Sequence, residues 1–333
     1  MKKYYIVILG CFLAGCGLVG SENEEEGQVY TRPTFPAVGE YFYADWGPDD
    51  RLAVIYMQLN ENGGHNHETR GLYTIRTDGS DRQLVVLNSE IGARILNPTW
   101  SPDGEWIAFS AGGEIFKVRP DGSDLSRLTF EGEAKFGPAW SPDGQWIAYR
   151  VIYGTGEGRG LWVISADGET MRQLNIPSPE ERCPGCDIIN PSWAVRNGPS
   201  WSSGGNELAY ITSERNLAVY DTSAARVDFK HKAPATLYNP QFSPDGSRIL
   251  FFMKAVSGHG LRVGVIDRDG GNLHWLREHA VEPSWSPDGS RIVYRLFSYR
   301  DGQFGEPGYG DLWIMNADGS NNFQLTFSTG EKK

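Results

Sequence analysis

The segment NPTWSPDGEWIAFS, residues 97–110, recurs in nearly the same form as GPAWSPDGQWIAYR, residues 137–150. This repetition is the strongest indication of the fold. Self-similarity at a steady period is the signature of repeat architectures, in which each repeat is one supersecondary unit. The spacing between aromatic anchors runs from 40 to 61 residues, which suits four short strands per repeat. Alignment on the Trp-Ser-Pro-Asp-Gly core finds six copies, anchored by Trp46, Trp100, Trp140, Trp201, Phe242 and Trp285.

Each copy reads as two hairpins. Ser-Pro-Asp-Gly is a tight turn, since Pro presets φ, Asp bonds its own backbone and Gly accepts a positive φ. The second half, as in LWVISADGETMRQL (residues 161–174), places another x-Asp-Gly-x turn between two strands. The fourth copy has lost that Asp-Gly and reads LAVYDTSAARVDF (residues 217–229). Four-stranded units with two apolar faces are stable only when stacked in a ring, so we predict an all-β, six-bladed β-propeller of four-stranded antiparallel blades over residues 40–330.

The unit W-S-P-D-G-x-x-I-A-F/Y with a trailing D-G-x-x-x-R-Q-L-T resembles the WD40-like repeat of TolB-type propellers. The resemblance covers nearly all of the chain after its leader, and four copies keep an intact Ser-Pro-Asp-Gly. TolB itself carries an α/β domain before its propeller, whereas only residues 17–39 lie here between Cys16 and the first blade. We therefore expect a TolB-like propeller that is not TolB itself.

The N-terminus carries an export signal. MKKYYIVILGCFLAG, residues 1–15, has two Lys, an apolar run and a small-residue ending, which is typical of a secretory signal peptide. Leu13-Ala14-Gly15-Cys16 resembles the bacterial lipobox, so we expect cleavage before Cys16 and lipidation of its thiol. Residues 16–39 then form an acidic tether, rich in Glu and poor in apolar residues, in which the Glu run could also serve as a sorting address. This predicts a lipid-anchored envelope protein, in the outer membrane facing the periplasm or on the cell surface.

The overall charge argues against a nucleic-acid partner. The formal net charge is −11, whereas phosphate binding needs a basic surface. We expect a monomer that meets the membrane through its lipid alone.

The long insertions fall at one rim of the predicted propeller. In each blade, the turn that joins the first and second strands and the turn that joins the third and fourth strands lie at the same rim. Both kinds of turn are short in this sequence. The long segments 57–71, 151–160 and 297–310 join second to third strands, and 175–198 joins two blades. Binding residues concentrate on such loops, and Arg and aromatic side chains suit protein hot spots. Candidate partner-binding residues at this rim are Arg70, Arg150, Arg182, Trp193, Arg196, Arg295, Tyr299 and Arg300. Arg150 and Arg295 could meet a partner carboxylate, or each could form an ion pair with a neighbouring loop acid.

Two motifs carry possible chemistry. Cys183 and Cys186 in CPGC are expected to form a local disulfide in an exported chain, because neither a redox setting nor two further zinc ligands accompany them. His65 and His67 in GGHNH are weak candidates for a metal site, with Glu61 or Glu68 nearby. Oligogalacturonate lyases are propeller enzymes that place His around a metal, but the six His of this chain are scattered.

No catalytic set is found and no cofactor is expected, so the leading hypothesis is a non-enzymatic, lipid-anchored envelope propeller. It would bind an envelope protein or peptide at its loop-rich rim. The alternatives are a metal-dependent carbohydrate-active propeller enzyme and a glycan-binding or small-ligand-binding protein.

Overall fold

The computed structural model describes the chain from residue 39 to residue 327. The internal segments outside this description are 61–63, 131, 152–159, 175–197, 213–215, 232–235, 255–259 and 298–309. The described residues form 24 strands in six four-stranded sheets, with a 3-10 turn at His67–Thr69 and one short helix, α1, at Asn88–Ile91. None of the helices in this part of the chain is long and apolar enough to span a membrane.

The first three blades take up the N-terminal half of the ring. Blade 1 consists of β1 (Gly39–Trp46), β2 (Arg51–Gln58), β3 (Gly71–Arg76) and β4 (Gln83–Leu87). Blade 2 consists of β5 (Ile95–Trp100), β6 (Ile107–Ala111), β7 (Glu114–Val118) and β8 (Ser126–Arg127). Blade 3 consists of β9 (Lys135–Trp140), β10 (Trp146–Val151), β11 (Gly160–Ser165) and β12 (Met171–Gln173).

The last three blades follow the same plan. Blade 4 consists of β13 (Ser200–Trp201), β14 (Glu207–Ile211), β15 (Leu217–Asp221) and β16 (Arg226–His231). Blade 5 consists of β17 (Thr236–Phe242), β18 (Arg248–Lys254), β19 (Leu261–Asp267) and β20 (His274–Glu278). Blade 6 consists of β21 (Ala280–Trp285), β22 (Arg291–Phe297), β23 (Gly310–Asn316) and β24 (Phe323–Gln324).

Strands within each sheet pair antiparallel in chain order, and each aromatic anchor ends the first strand of its blade. The six-bladed propeller predicted from the repeats is thereby confirmed. Each blade is built from four consecutive strands, and β1 packs on β21, β22 and β23, so blade 1 adjoins blade 6 and the ring is closed.

The Ser-Pro-Asp-Gly turn is held by its own side chains, as blade 2 shows. Ser101 Oγ donates to Asp103 Oδ1 at 2.6 Å, and the N–H of Trp106 donates to Ser101 Oγ at 2.9 Å. Gly104 has a φ of +73°, which a side chain would strain. The same Ser–Asp hydrogen bond recurs at the intact turns of blades 3, 5 and 6. These local bonds explain why the motif recurs in sequence.

The first strand of a blade bulges where it lines the central channel. Its register on the second strand slips before the anchor in blades 1, 2, 3, 5 and 6. The bulged residue has a positive φ at Tyr43, Asn97, Gly137, Asn239 and Glu282. In blades 2, 3, 5 and 6 a Pro follows it, which has no N–H to leave unpaired in the broken ladder.

The apolar core lies between the blades. The buried apolar residues of the described chain form six clusters, and each cluster draws its members from two adjacent blades. The cluster that joins blades 6 and 1 includes Trp46, Leu52, Val293 and Ile314. Burial is therefore shared pairwise around the ring, and no blade has a core of its own.

Candidate functional site

The central channel holds a cavity of about 270 Å³ lined by the first strands of all six blades. Polar side chains here join neighbouring blades through the backbone of the aromatic anchors. Asp45 Oδ2 accepts from the N–H of Trp100 at 2.9 Å, and Gln241 Oε1 accepts from the N–H of Trp285 at 2.9 Å. Burial raises the pKa of Asp45 to about 6. These channel groups are used to hold blades together.

The two rims differ in the length of their connections. The turns between first and second strands and between third and fourth strands have at most seven residues, the longest being 119–125. The opposite rim carries four longer connections, at residues 59–70, 152–159, 174–199 and 298–309. The antiparallel order places these four at one end of the blades. We call this end the loop-rich rim.

A buried ion pair lies toward the loop-rich rim of blade 6. Arg295 Nε is 3.1 Å from Glu282 Oε2, and the two side chains are 2% and 4% exposed. Glu282 is the bulged residue of β21, and its Oε2 also accepts from the N–H of Tyr43 in blade 1 at 3.0 Å. Arg295 thus pairs with an acid in the first strand of its own blade, whereas the sequence led us to expect a partner carboxylate or a neighbouring loop acid.

Two guanidinium groups lie close to the ring of Phe42. The Cζ atoms of Arg70 and Arg295 each lie 4.9 Å from the centroid of its ring. Phe42 belongs to β1, Arg295 to β22, and Arg70 immediately precedes β3. Cation–π contacts of this kind gain strength when the cation is desolvated, so the ring fixes the position of both charges.

Arg70 is buried without a counter-ion in the described part of the chain. The residue is 6% exposed, and its Nη1 lies 4.0 Å from the Sδ atom of Met57. Its Nε and Nη2 atoms have no hydrogen-bond partner among the described residues. Burial, with the positive charge of Arg94 as a second cause, lowers the pKa of Arg70 to about 10, so the group stays protonated at neutral pH.

The two candidate histidines lie beside this cluster. The rings of His65 and His67 meet edge to face with centroids 5.9 Å apart. His65 Nε2 lies 3.2 Å from Glu40 Oε2, and that acid is 2% exposed. Among the described residues no group of three or more His, Cys, Asp or Glu side chains is placed to hold a metal ion.

Arg150 occupies the position in blade 3 that Arg295 occupies in blade 6. Each pairs with the residue before the bulge of the first strand, Phe136 and Val281 respectively. The bulged residue of blade 3 is Gly137, which offers no carboxylate to match Glu282. Blades 3 and 6 face each other across the ring, so the two arginines are not neighbours. The remaining predicted residues, which lie outside the described residues, are Cys16, Arg182, Cys183, Cys186, Trp193, Arg196, Tyr299 and Arg300.

Sequence reasoning missed Phe42, Glu40 and Glu282. One signal for Glu282 was available, because EPSW aligns with NPTW, GPAW, GPSW and NPQF and places an acid where these four copies have Asn or Gly. Phe130 was also missed. It is 68% exposed in the connection between blades 2 and 3 at the loop-rich rim, with Arg127 Cζ 5.0 Å from its ring centroid.

Solved structures share this architecture at low sequence identity. The putative TolB from Agrobacterium tumefaciens matches with a TM-score of 0.59 and 18% identity, over 76% of this chain and 86% of that chain. TolB from Acinetobacter baumannii matches with a TM-score of 0.59 and 17% identity, over 84% and 77%. An oligogalacturonate lyase from Vibrio parahaemolyticus matches with a TM-score of 0.52 and 10% identity, over 90% and 82%. No family model and no curated protein matches the sequence. The chain therefore has the TolB-like six-bladed propeller fold, and identities this low speak to the fold alone.

Proposed function

We propose that this protein is a non-enzymatic, lipid-anchored propeller of the cell envelope that binds a protein or peptide at its loop-rich rim. The observation that carries the proposal is the asymmetry of the two rims. Four connections at the loop-rich rim are longer than any turn at the opposite rim, where Asp and Ser side chains close short turns. Loops held on a rigid ring are where binding residues concentrate.

The composition of the loop-rich rim supports a polypeptide partner. Exposed Phe130 with Arg127 supplies the aromatic and guanidinium groups that dominate protein hot spots. The connections 174–199 and 298–309 would add the same residue types to this rim, namely Arg182, Trp193, Arg196, Tyr299 and Arg300.

The proposed location in the cell envelope is inferred from the N-terminal segment, residues 1–16. Residues 1–15 have the charge and apolar pattern of a secretory signal, and Cys16 follows Leu-Ala-Gly as lipidation requires. A diacyl or triacyl cysteine supplies the two or more chains that stable anchoring needs. The acidic residues 16–39 would hold the propeller away from the membrane, and cysteines 183 and 186 would be joined in an oxidising compartment.

The test is in-cell crosslinking and affinity capture of the mature lipoprotein. The rim variant replaces Arg182, Trp193 and Arg196 with Ala. The matched control replaces Arg76, Leu125 and Leu273 with Ala, because these residues lie at the short-turn rim and are exposed. We expect one envelope protein to be captured by wild type and the control and lost from the rim variant. Equal capture by all three proteins, or no specific capture, contradicts the proposal.

A metal-dependent carbohydrate-active enzyme is the second candidate, favoured by one observation. His65 Nε2 lies 3.2 Å from the buried Glu40 carboxylate, with the His67 ring next to it. An oligogalacturonate lyase in complex with manganese shares the fold with a TM-score of 0.50 and 10% identity. Metal analysis of the purified protein separates the candidates: a stoichiometric transition metal that is lost in His65→Ala would favour the enzyme.

A further inference from the structure

In the described part of the loop-rich rim, Arg70 is a buried charge of which two guanidinium nitrogens have no hydrogen-bond partner. We propose that Arg70 anchors a binding site for a single carboxylate group. The carrier of that carboxylate is an acidic residue or chain terminus of the bound polypeptide, an assignment that rests on the function proposed above.

The first argument is the cost of burying an unpaired charge. Arg70 is 6% exposed, and two of its three guanidinium nitrogens have no partner among the described residues. Moving a charge out of water without a counter-ion is expensive, and an unpaired buried ion is strongly destabilising. A group kept in this state is poised for an anion that arrives from outside.

The second argument is that the nearby carboxylates are engaged elsewhere. Glu282 is held by Arg295 and by the N–H of Tyr43. Glu40 lies against His65. Neither acid is ion-paired with Arg70 itself. Arg94 adds a further positive charge that acts on the same guanidinium.

The third argument is which guanidinium nitrogens lack a hydrogen-bond partner. Nε and Nη2 lie on the same edge of a guanidinium, and their N–H groups form the side-on fork that receives both oxygens of a carboxylate. Nη1, on the other edge, lies against the Met57 sulfur, and the Phe42 ring covers one face. These two contacts hold the guanidinium in place, so the buried fork is already oriented for a ligand. One fork without a partner matches one carboxylate group.

The experiment measures thermal unfolding of the purified full chain in sodium acetate and in sodium chloride at equal ionic strength. We expect acetate to raise the wild-type midpoint above its value in chloride, with the rise growing as acetate increases. Arg70→Met should lose this rise and, in chloride, should unfold at or above the wild-type midpoint because an unpaired buried charge has been removed. Arg76→Met, which changes an exposed arginine at the opposite rim, should keep the full acetate response.

An acetate response that survives in Arg70→Met overturns the site. So does a wild type without any acetate response. A marked drop of the Arg70→Met midpoint in chloride also overturns it, because that result would show Arg70 already paired within the chain. If Arg70→Met does not fold, Arg70→Gln replaces it, and binding of ¹³C-labelled acetate is followed by NMR line broadening.

The carrier is tested with matched short probes on the same protein. We expect acetyl-Gly-Asp-Gly-amide to compete with labelled acetate and acetyl-Gly-Asn-Gly-amide to fail. If galacturonate or inorganic phosphate competes with labelled acetate and the Asp peptide does not, the peptide assignment is overturned. The two proposals can fail separately. If a partner is lost only from the rim variant and acetate has no effect, the carboxylate site is contradicted and the proposed function is supported. If acetate stabilises the protein and no partner is captured, the proposed function is contradicted and the carboxylate site is supported.

Discussion

The carboxylate of Glu282 joins the last blade to the first, since its Oε2 accepts a hydrogen bond from the backbone N–H of Tyr43 at 3.0 Å, across 239 residues of chain. The same carboxylate neutralises Arg295, 3.1 Å away. Beside it, Ser284 Oγ accepts from the N–H of Trp46 at 3.2 Å. Among the described residues every blade is built from consecutive strands, so there the blade 6–blade 1 junction depends on such contacts and on its apolar cluster.

Replacing Glu282 with Gln should destabilise the protein by about 3–5 kcal/mol, because it removes the carboxylate that neutralises the buried Arg295. Gln keeps an oxygen that can accept from Tyr43, so the loss reports mainly on the charge. The measurement is the urea midpoint of the variant against wild type at neutral pH.

The control for this prediction is Glu68→Gln, an exposed acid of the same rim, which should change stability by less than about 0.5 kcal/mol. The double variant Glu282→Gln/Arg295→Met should recover much of the loss, since it removes both charges. A single variant as stable as Glu68→Gln would show that Arg295 finds another counter-ion.

Asp45 should make the protein less stable as the pH rises, whereas an acid in a salt bridge makes a protein less stable as the pH falls. Burial raises its pKa from 3.8 to about 6, outweighing hydrogen bonds from Trp100 and Ser284. The folded state therefore holds the proton more tightly than the unfolded state, and the associated stability is complete below pH 3.8 and is lost as pH rises through about 6. Asp45→Asn should remove this loss and be more stable than wild type by on the order of 1–3 kcal/mol near pH 8.

Urea unfolding of wild type and Asp45→Asn near pH 4 and near pH 8 tests this, because their difference isolates one carboxyl group. The turn acids Asp245 and Asp288 do not interfere. Their pKa values are lowered to about 2 by serine hydroxyl hydrogen bonds, so their contributions are lost only as pH falls below 3.8. A difference between the two proteins that is equal at both pH values would count against the raised pKa.

The repeat made the ring predictable. Turn chemistry in Ser-Pro-Asp-Gly is local, and the hydrogen bond between Ser101 and Asp103 spans two residues, so the sequence alone placed the turns and the ends of the first strands. The short turns also determined which rim would carry the long connections.

The charge cluster could not be predicted in the same way. The contact of Glu282 with Tyr43 exists only once the ring has closed, and Arg70 meets Phe42 only through the pairing of three strands of blade 1. A repeat alignment compares equivalent positions, whereas these contacts join positions that are not equivalent. Arg295 was predicted as a site residue because it lies near the end of a strand, but its partner Glu282 is the bulged residue of β21 and was not predicted.

Two turn glycines should respond differently to a methyl group. Gly104 and Gly144 have φ values of +73° and +69°, so Ala is strained at both by about 1–2 kcal/mol. A Cβ at Gly104 would lie 2.5 Å from Cγ of Pro48 in the neighbouring blade, whereas at Gly144 nothing lies within 4 Å. Gly104→Ala should therefore cost at least about 1 kcal/mol more than Gly144→Ala in urea unfolding. Equal costs would mean that the blades move apart freely at this contact.

The degenerate turn of blade 4 should be improved by restoring its acid. Ser202-Ser203-Gly204-Gly205 has Gly204 where the intact turns have Asp, and φ of Gly204 is not positive, so an L side chain is allowed there. Gly204→Asp should let the new carboxylate accept from the hydroxyl of Ser202, as Asp103 does from Ser101. The Asn206 Oδ1 atom, 2.9 Å from the new Cβ position, must rotate away. We expect a gain of about 1 kcal/mol in the free energy of unfolding, from the restored bonds and from a less flexible unfolded chain.

Gly205→Asp is the control, because Gly205 has a φ of +71° and the substitution there should destabilise the protein. A Gly204→Asp protein less stable than wild type would show that losing the existing 3.5 Å hydrogen bond from Ser202 Oγ to Asn206 Oδ1 outweighs the new bonds.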